Sequence, residues 1–139
     1  MPARDAIHDS VRTALIKDGW EITEDPCVIS FDDMVVFADM AAEFTLAIER
    51  GGEKAVIEAK SFSGDSDMHQ FETALGQYLV YRIFLSHTKP DRNVYLAVGA
   101  TVFQEFFMRP AIQLVCRECQ VAIIVIDLNT EEIQSWHQP

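Results

Sequence analysis

The sequence has little positive charge. Eleven lysine and arginine residues stand against 22 aspartate and glutamate residues, which gives a net charge of −11. A protein that binds DNA strongly by itself normally carries a basic patch, and no such patch is visible here. Residues 1–60 hold six basic and thirteen acidic residues, so the imbalance is largest in that half. Some of these acids could hold a metal ion, but the usual role of such acidity is a solvated surface.

The sequence also lacks a long apolar run and an even set of cysteines. No apolar segment is long enough to cross a bilayer, and charges interrupt the N-terminal stretch MPARDAIHDSVRTAL where a signal peptide needs an apolar core. We therefore expect a cytoplasmic protein outside the membrane. Three cysteines in a reducing compartment are not expected to form structural disulfides. The 139 residues, 49% of them hydrophobic and without a linker, predict one globular domain over residues 1–139.

Two of the cysteines, Cys116 and Cys119, form a single C-x-x-C motif. A structural zinc site or an iron–sulfur cluster needs four ligands, and only Cys27 could be added. A thioredoxin-like pair would begin a helix, whereas this motif ends one. We therefore interpret the pair as ordinary thiols at the end of a helix.

Hydrophobic periodicity predicts an alternation of helices and strands. The order is helix, three strands, helix, strand, helix, strand, αβββαβαβ, which makes an α/β fold with a mixed central sheet flanked by helices. The predicted elements are a helix at 3–18, a short strand at 27–31, a run at 34–40 continued by a longer strand at 42–50, an antiparallel strand at 53–62 after Gly51-Gly52, a helix at 64–87, a strand at 93–100, a helix at 101–119 broken near Pro110, and a strand at 121–127.

The stretch VIEAKSF, residues 56–62, contains two charged residues within a strand. Because side chains alternate along a strand, Glu58 and Lys60 share one face. Asp39 ends the run that we expect to neighbour this strand, so the three side chains would converge at one edge of the sheet. Two carboxylates can hold Mg²⁺ or Mn²⁺, and an ammonium can orient a water, which together suit hydrolysis of a phosphodiester.

Other interpretations stay open at this point. Glu58 and Lys60 could be an exposed strand pair of little energetic value. Glu43 or Glu49 could replace Asp39 as the second carboxylate. The predicted helices also carry three polar residues that could belong to such a site, His8, Gln77 and Tyr81. His8 could instead be a histidine of the polar helix face, and Gln77 and Tyr81 could satisfy buried hydrogen bonds between helix and sheet.

These residues resemble a known nuclease core. Asp39 followed by Glu58-Ala59-Lys60 resembles the PD-(D/E)xK motif, whose restriction-endonuclease-like fold has the same order of elements. Gln77 and Tyr81, four residues apart on one helical face, resemble the Q-x-x-x-Y element of the RecB-like branch. His8 stands where that branch often has a further metal ligand. The resemblance implies that Asp39, Glu58, Lys60, Gln77 and Tyr81 are catalytic and that Asp39, Glu58 and His8 bind the metal.

A second resemblance covers almost the whole chain. The stretches MPARDAIHDSVRTALIKDGWEIT, EAKSF, ALGQYLVYR and VYLAV resemble the XisH family, the fdxN element excision controlling factors. This resemblance implies a nuclease-like fold in a protein that supports programmed excision of a DNA element. It also implies two partners, a site-specific recombinase and a small protein called XisI.

Three functions are compatible with these features. The first is a Mg²⁺-dependent endonuclease-like protein whose DNA affinity comes from a partner or from an assembled homodimer, as the acidic composition requires. The second is a non-catalytic accessory factor that binds XisI or the recombinase, which Ala38 in place of the motif's proline favours. The third is a toxin-like or defence nuclease restrained by its neighbour.

Overall fold

A six-stranded mixed sheet with helices on both faces forms the centre of the computed structural model, which describes residues 2–36, 43–62 and 67–139. The sheet order is β1-β4-β5-β6-β7-β8, and β2 and β3 form a separate two-stranded sheet. The elements are α1 (Pro2–Lys17), β1 (Glu21–Glu24), β2 (Ile29–Phe31), β3 (Met34–Val36), β4 (Glu43–Arg50), β5 (Glu53–Lys60), α2 (Asp67–Thr88), β6 (Arg92–Gly99), α3 (Ala100–Val102), a π-helical turn (Phe103–Phe107), α4 (Pro110–Glu118), β7 (Ile123–Asp127) and β8 (Glu132–His137).

The sheet combines a parallel centre with antiparallel flanks. β5, β6 and β7 run parallel, while β4 and β8 are antiparallel to their inner neighbours. Gly51 and Gly52 both have positive φ, 57° and 85°, which lets the chain reverse between β4 and β5 in two residues. The parallel centre requires crossovers, and α2 and the α3–α4 segment supply them.

Each face of the sheet has its own apolar layer. On one face, the α1 stripe of Ile7, Val11, Ala14 and Leu15 packs among residues that include Ile57 of β5. On the other face, residues of α2, the π-helical turn and α4 pack among residues that include those of β5, β6 and β7. Val56 of β5 belongs to the layer under α2, whereas Ile57 belongs to the layer under α1. Strand alternation therefore places the even-numbered residues of β5 on the α2 face. None of the described helices is both long and apolar enough to span a membrane.

Most of the predicted elements are confirmed, and α4 begins at Pro110 where the helix was predicted to break. The expected pairing of the 34–40 run with β5 is wrong for the part that the structure describes, because β3 pairs with β2 and β5 lies between β4 and β6. Instead, β2 and β3 are closed by a tight turn at Asp32, with φ of 55°, and a long-range contact holds the hairpin, because Phe31 packs on Phe84 of α2. Edge strands β1 and β8 were not predicted.

One buried hydroxyl connects α2 to two strands of the sheet. The Tyr78 hydroxyl donates to the carbonyl of Val94 in β6 and accepts from the backbone N–H of Ala122, which precedes β7, both at 3.0 Å. Burial raises the pKa of Tyr78, which keeps the hydroxyl protonated and able to donate. This connection fixes the height of α2 against the sheet, and with it the position of Gln77 and Tyr81.

Removing this hydroxyl should destabilise the fold measurably. Tyr78→Phe leaves a buried carbonyl and a buried N–H without their partner, so we expect a loss of about 2–3 kcal/mol in the free energy of unfolding by urea denaturation. Tyr95→Phe is the matched control, because the Tyr95 hydroxyl contacts the side chain of Gln138 in a partly buried place, and it should cost under about 1 kcal/mol. Equal losses in the two variants would contradict the connecting role of Tyr78.

Candidate functional site

The strand β5 carries two charged side chains into the interior of the protein. Glu58 is 0% exposed and Lys60 is 5% exposed. Both lie on the same face of β5 as Val56, which belongs to the layer under α2. Their Cβ atoms are about 7 Å apart along the strand. The interpretation of these residues as an exposed strand pair is therefore wrong. Burial of an ion costs several kcal/mol unless partners compensate it, so these charges require partners.

The helix α2 brings two further polar groups to the same layer. Tyr81 is almost fully buried in the layer between α2 and the sheet. The hydroxyl of Tyr81 and the side-chain oxygen of Gln77 are both buried, as is Oε2 of Glu58. Each of these side chains, like Lys60, takes part in at least one further contact, so none of them is without a partner. The structure thus brings Glu58, Lys60, Gln77 and Tyr81 to one side of the sheet.

An aromatic cluster follows directly after the end of β5. Phe62 packs on Phe106 and Phe107, with ring centroids 6.0 and 5.4 Å apart, and Phe71 of α2 packs on the same two rings at 5.6 Å. Phe62 has a φ of 53°, an uncommon conformation for a bulky residue, and the buried rings hold it there. Apolar rings near the end of the strand keep water away and strengthen the electrostatic interactions of nearby charges. This role of the phenylalanines was not predicted from the sequence.

The structure separates the three candidates for a second carboxylate. Asp39 lies outside the described residues. Glu43 pairs with Lys60 across the β4–β5 ladder, at the same end of the sheet as Glu58. Glu49 pairs with Lys54, about 13 Å along the ladder from the position of Glu58, which excludes it from this site. Among the described residues, no group of three or more His, Cys, Asp or Glu side chains is arranged to hold a metal ion.

His8 lies on α1, the helix that covers the opposite face of the sheet, and it contacts carboxylates. Its Nε2 lies 2.8 Å from an oxygen of Asp25, and its Nδ1 lies 3.3 Å from Asp9. Arg12 also donates to Asp25. Metal-binding histidines commonly donate their second ring N–H to a carboxylate, so Asp25 would leave Nδ1 as the only nitrogen able to bind a metal. Neither Asp25 nor Arg12 was predicted from the sequence, because a contact across 17 residues has no local pattern.

The cysteines are free thiols of low reactivity where they are buried. Burial raises the pKa of Cys116 to about 11, with a smaller contribution from Cys119, and burial also raises the pKa of Cys27 to about 11. A raised pKa lowers the thiolate fraction at neutral pH and with it the nucleophilicity. Cys116 lies in the last turns of α4 and Cys119 caps it, as the sequence predicted.

Comparison with known proteins identifies relatives over nearly the whole chain. A family model described as "XisH protein" matches residues 1–134. The crystal structure of an XisH family protein from Nostoc punctiforme PCC 73102 is 38% identical, with a TM-score of 0.88 over 95% of this chain and 98% of that one. A protein from Anabaena variabilis, described as an fdxN element excision controlling factor, is 40% identical, with a TM-score of 0.88 over 96% and 98% of the two chains. No curated protein matches. On the family match and these two identities, the chain belongs to the XisH family.

Proposed function

We propose that this protein is a PD-(D/E)xK-type, Mg²⁺- or Mn²⁺-dependent endonuclease-like protein that acts in the site-specific excision of a DNA element. The solved relative from Anabaena variabilis is described as an fdxN element excision controlling factor, which supports the biological setting. The mixed sheet with helices on both faces is compatible with a restriction-endonuclease-like fold.

The observation that carries the proposal is the burial of Glu58 and Lys60 together at the C-terminal end of β5. Replacement of a buried ion pair by apolar residues is often neutral or stabilising, so stability alone does not explain the pair, and a functional use is the better explanation. The C-terminal ends of parallel strands are also the edge at which open α/β sheets bind their ligands. The Tyr81 hydroxyl and the side-chain oxygen of Gln77 are buried on α2, which covers the same face of the sheet, and this supports the Q-x-x-x-Y interpretation.

Glu58 fits the metal that the proposal requires. Mg²⁺ prefers carboxylate oxygens and commonly uses only one or two of them, with water and substrate phosphates at its other positions. Glu58 and Asp39 would hold the ion, or Glu58 and Glu43 if Asp39 does not reach it. When bound, the ion supplies Lewis-acid activation of a water and neutralises charge on the phosphate. His8, predicted as a third ligand, lies on the helix that covers the opposite face of the sheet from Glu58 and contacts Asp25, so the proposed ion does not depend on it.

The remaining residues act on the water and the substrate. We propose that the Lys60 ammonium orients the attacking water or stabilises the charge that develops on the phosphate. Its burial holds that charge in a low-dielectric surrounding, where the interaction is stronger than in bulk water. Gln77 and Tyr81 would hold Glu58 and Lys60 in position through hydrogen bonds, and the aromatic cluster would keep bulk water out.

The acidic composition assigns DNA affinity to a partner. A net charge of −11 opposes the approach of a polyanion, so we propose that an XisI-type protein, the recombinase or a homodimer supplies the DNA contacts.

A second function, an accessory factor that binds XisI or the recombinase and cleaves nothing, is favoured by one surface. On the β2–β3 hairpin, Val28, Phe31, Met34 and Val35 are between 41% and 58% exposed. Residues 21–36 also contain five acidic residues and no lysine or arginine. Apolar surface with a polar rim is typical of a protein–protein interface.

Nicking of supercoiled plasmid tests the enzymatic function. With Mg²⁺ or Mn²⁺, and with or without the XisI-type partner, we expect relaxed plasmid to accumulate on a gel. Glu58→Gln and Lys60→Ala should each lower the rate by at least about 100-fold, because one loses a metal ligand and the other a charge that acts in the transition state.

Glu49→Gln is the matched control, since it removes a carboxylate of the next strand at the other end of the ladder. It should nick at the wild-type rate. Absence of nicking under all conditions would favour the accessory function, and nicking that survives Glu58→Gln would show that the activity comes from another site or from a contaminant.

The DNA-binding behaviour of the isolated chain is a separate prediction. Without a partner, the protein should bind duplex DNA too weakly to detect at physiological salt in a fluorescence anisotropy titration, because its charge repels phosphates. Addition of the XisI-type partner should produce binding that weakens as salt increases. Tight, salt-sensitive binding by the isolated chain would overturn the assignment of DNA affinity to a partner.

A further inference from the structure

A polar cleft lies at the N-terminal ends of β5 and β6, at the opposite end of these strands from Glu58 and Lys60. Its volume is about 550 Å³, within the range of about 300–1,000 Å³ of small-molecule sites. Glu53 and Arg92, the first residues of β5 and β6, line it together with Arg82 and Gln120. Along β5, this end of the strand is about 20 Å from the end that carries Lys60. The cleft is therefore separate from the proposed nuclease site.

Arg92 has a positive charge that its neighbours compensate incompletely. Its side chain is only 17% exposed, and the carboxylate of Glu24 is 3.8 Å away, beyond hydrogen-bond distance. The Nε and Nη1 atoms are buried and donate no hydrogen bond to any residue in the described parts of the chain. Native proteins rarely leave a buried guanidinium in this state, and an anion in the cleft would supply the missing countercharge.

Arg82 brings a second guanidinium to the same cleft in a fixed orientation. Its Nη1 donates to the carbonyls of Cys119 and Gln120, both at 2.8 Å, and its planar group lies 5.4 Å from the centre of the Tyr78 ring. These contacts hold the group in place, so little side-chain entropy remains to be lost when a ligand binds. The two carbonyls engage one of its three nitrogens, which leaves the guanidinium able to donate further hydrogen bonds.

We propose that this cleft binds a small, doubly charged oxyanion, a phosphate or dicarboxylate group, between Arg82 and Arg92. Of the charged side chains that line it, two are cationic and one, Glu53, is anionic, and Pro139 at the end of the chain lies beside them. Guanidinium groups match the geometry of phosphate and carboxylate oxygens, and the amides of Asn93 and Gln120 supply further neutral donors.

Titration with inorganic phosphate, malonate and chloride tests this site. Binding is followed by NMR through the Nε–H signals of arginine and by calorimetry. We expect saturable shifts at Arg82 and Arg92 with phosphate, with malonate or with both, and none with chloride at the same ionic strength. A response to phosphate alone would assign the site to phosphate esters, and a response to both would assign it to dianions in general. No saturable shift with either dianion would overturn the proposal.

Four variants separate binding from folding. Arg82→Gln and Arg92→Gln should each weaken phosphate binding by about tenfold or more, because each removes a charge-assisted donor. Arg117→Gln makes the same charge change on α4, outside the cleft, and should leave the affinity unchanged. Glu53→Gln should tighten binding by about twofold to fivefold, because it removes the carboxylate that repels the anion, and loss of structure cannot produce that gain. Unchanged affinity in both arginine variants, or weaker binding in Glu53→Gln, would contradict the site.

Discussion

A carboxylate and an ammonium buried on one face of a single strand are the constraint on which the rest of this structure depends. Glu58 and Lys60 have almost no exposed surface, and ions removed from water cost several kcal/mol each unless they are compensated. β4 and β6 flank the strand, and α2 covers the face that carries the two charged residues, with buried polar groups of Tyr81 and Gln77 on the same helix. Tyr78 fixes the height of that helix against the sheet. The burial of Glu58 and Lys60 thus depends on α2, and Tyr78 connects that helix to the sheet.

The two ends of the parallel strands differ in chemistry. The C-terminal end of β5 carries Glu58 and Lys60, with the aromatic cluster around Phe62 beyond it. The N-terminal ends of β5 and β6 carry the cleft between Arg82 and Arg92. The two proposed sites, one for a cation and one for an anion, thus lie at opposite ends of these strands. The exposed apolar face of the β2–β3 hairpin adds a third surface, suited to a protein partner.

The sequence predicts those parts of this fold that depend on local periodicity. The α1 stripe, the hairpin turn at Gly51-Gly52 and the break at Pro110 follow from patterns within a few residues, and they are where they were predicted. Edge strand β1 is four residues long and only half-buried, which leaves too little alternation to detect. The 34–40 run was paired with the wrong strand because local composition does not determine register between distant segments.

In the candidate site, too, the sequence predicts what local periodicity decides and misses what tertiary contacts decide. Alternation placed Glu58 and Lys60 on one face, but it could not tell an exposed pair from a buried one, since that depends on α2 covering the face. The contact of His8 with Asp25 and the conformation of Phe62 are tertiary results without a local pattern. Asp39 stays a prediction.

Binding of Mn²⁺ to the purified protein, measured by electron paramagnetic resonance, tests the central claim most directly, because it does not depend on DNA, a partner or turnover. We predict saturable binding of Mn²⁺, competed by Mg²⁺, that Glu58→Gln weakens by at least about tenfold while Glu49→Gln leaves it unchanged. Absence of saturable binding, or equal binding in Glu58→Gln, would contradict the claim that the buried carboxylate of β5 is a metal ligand.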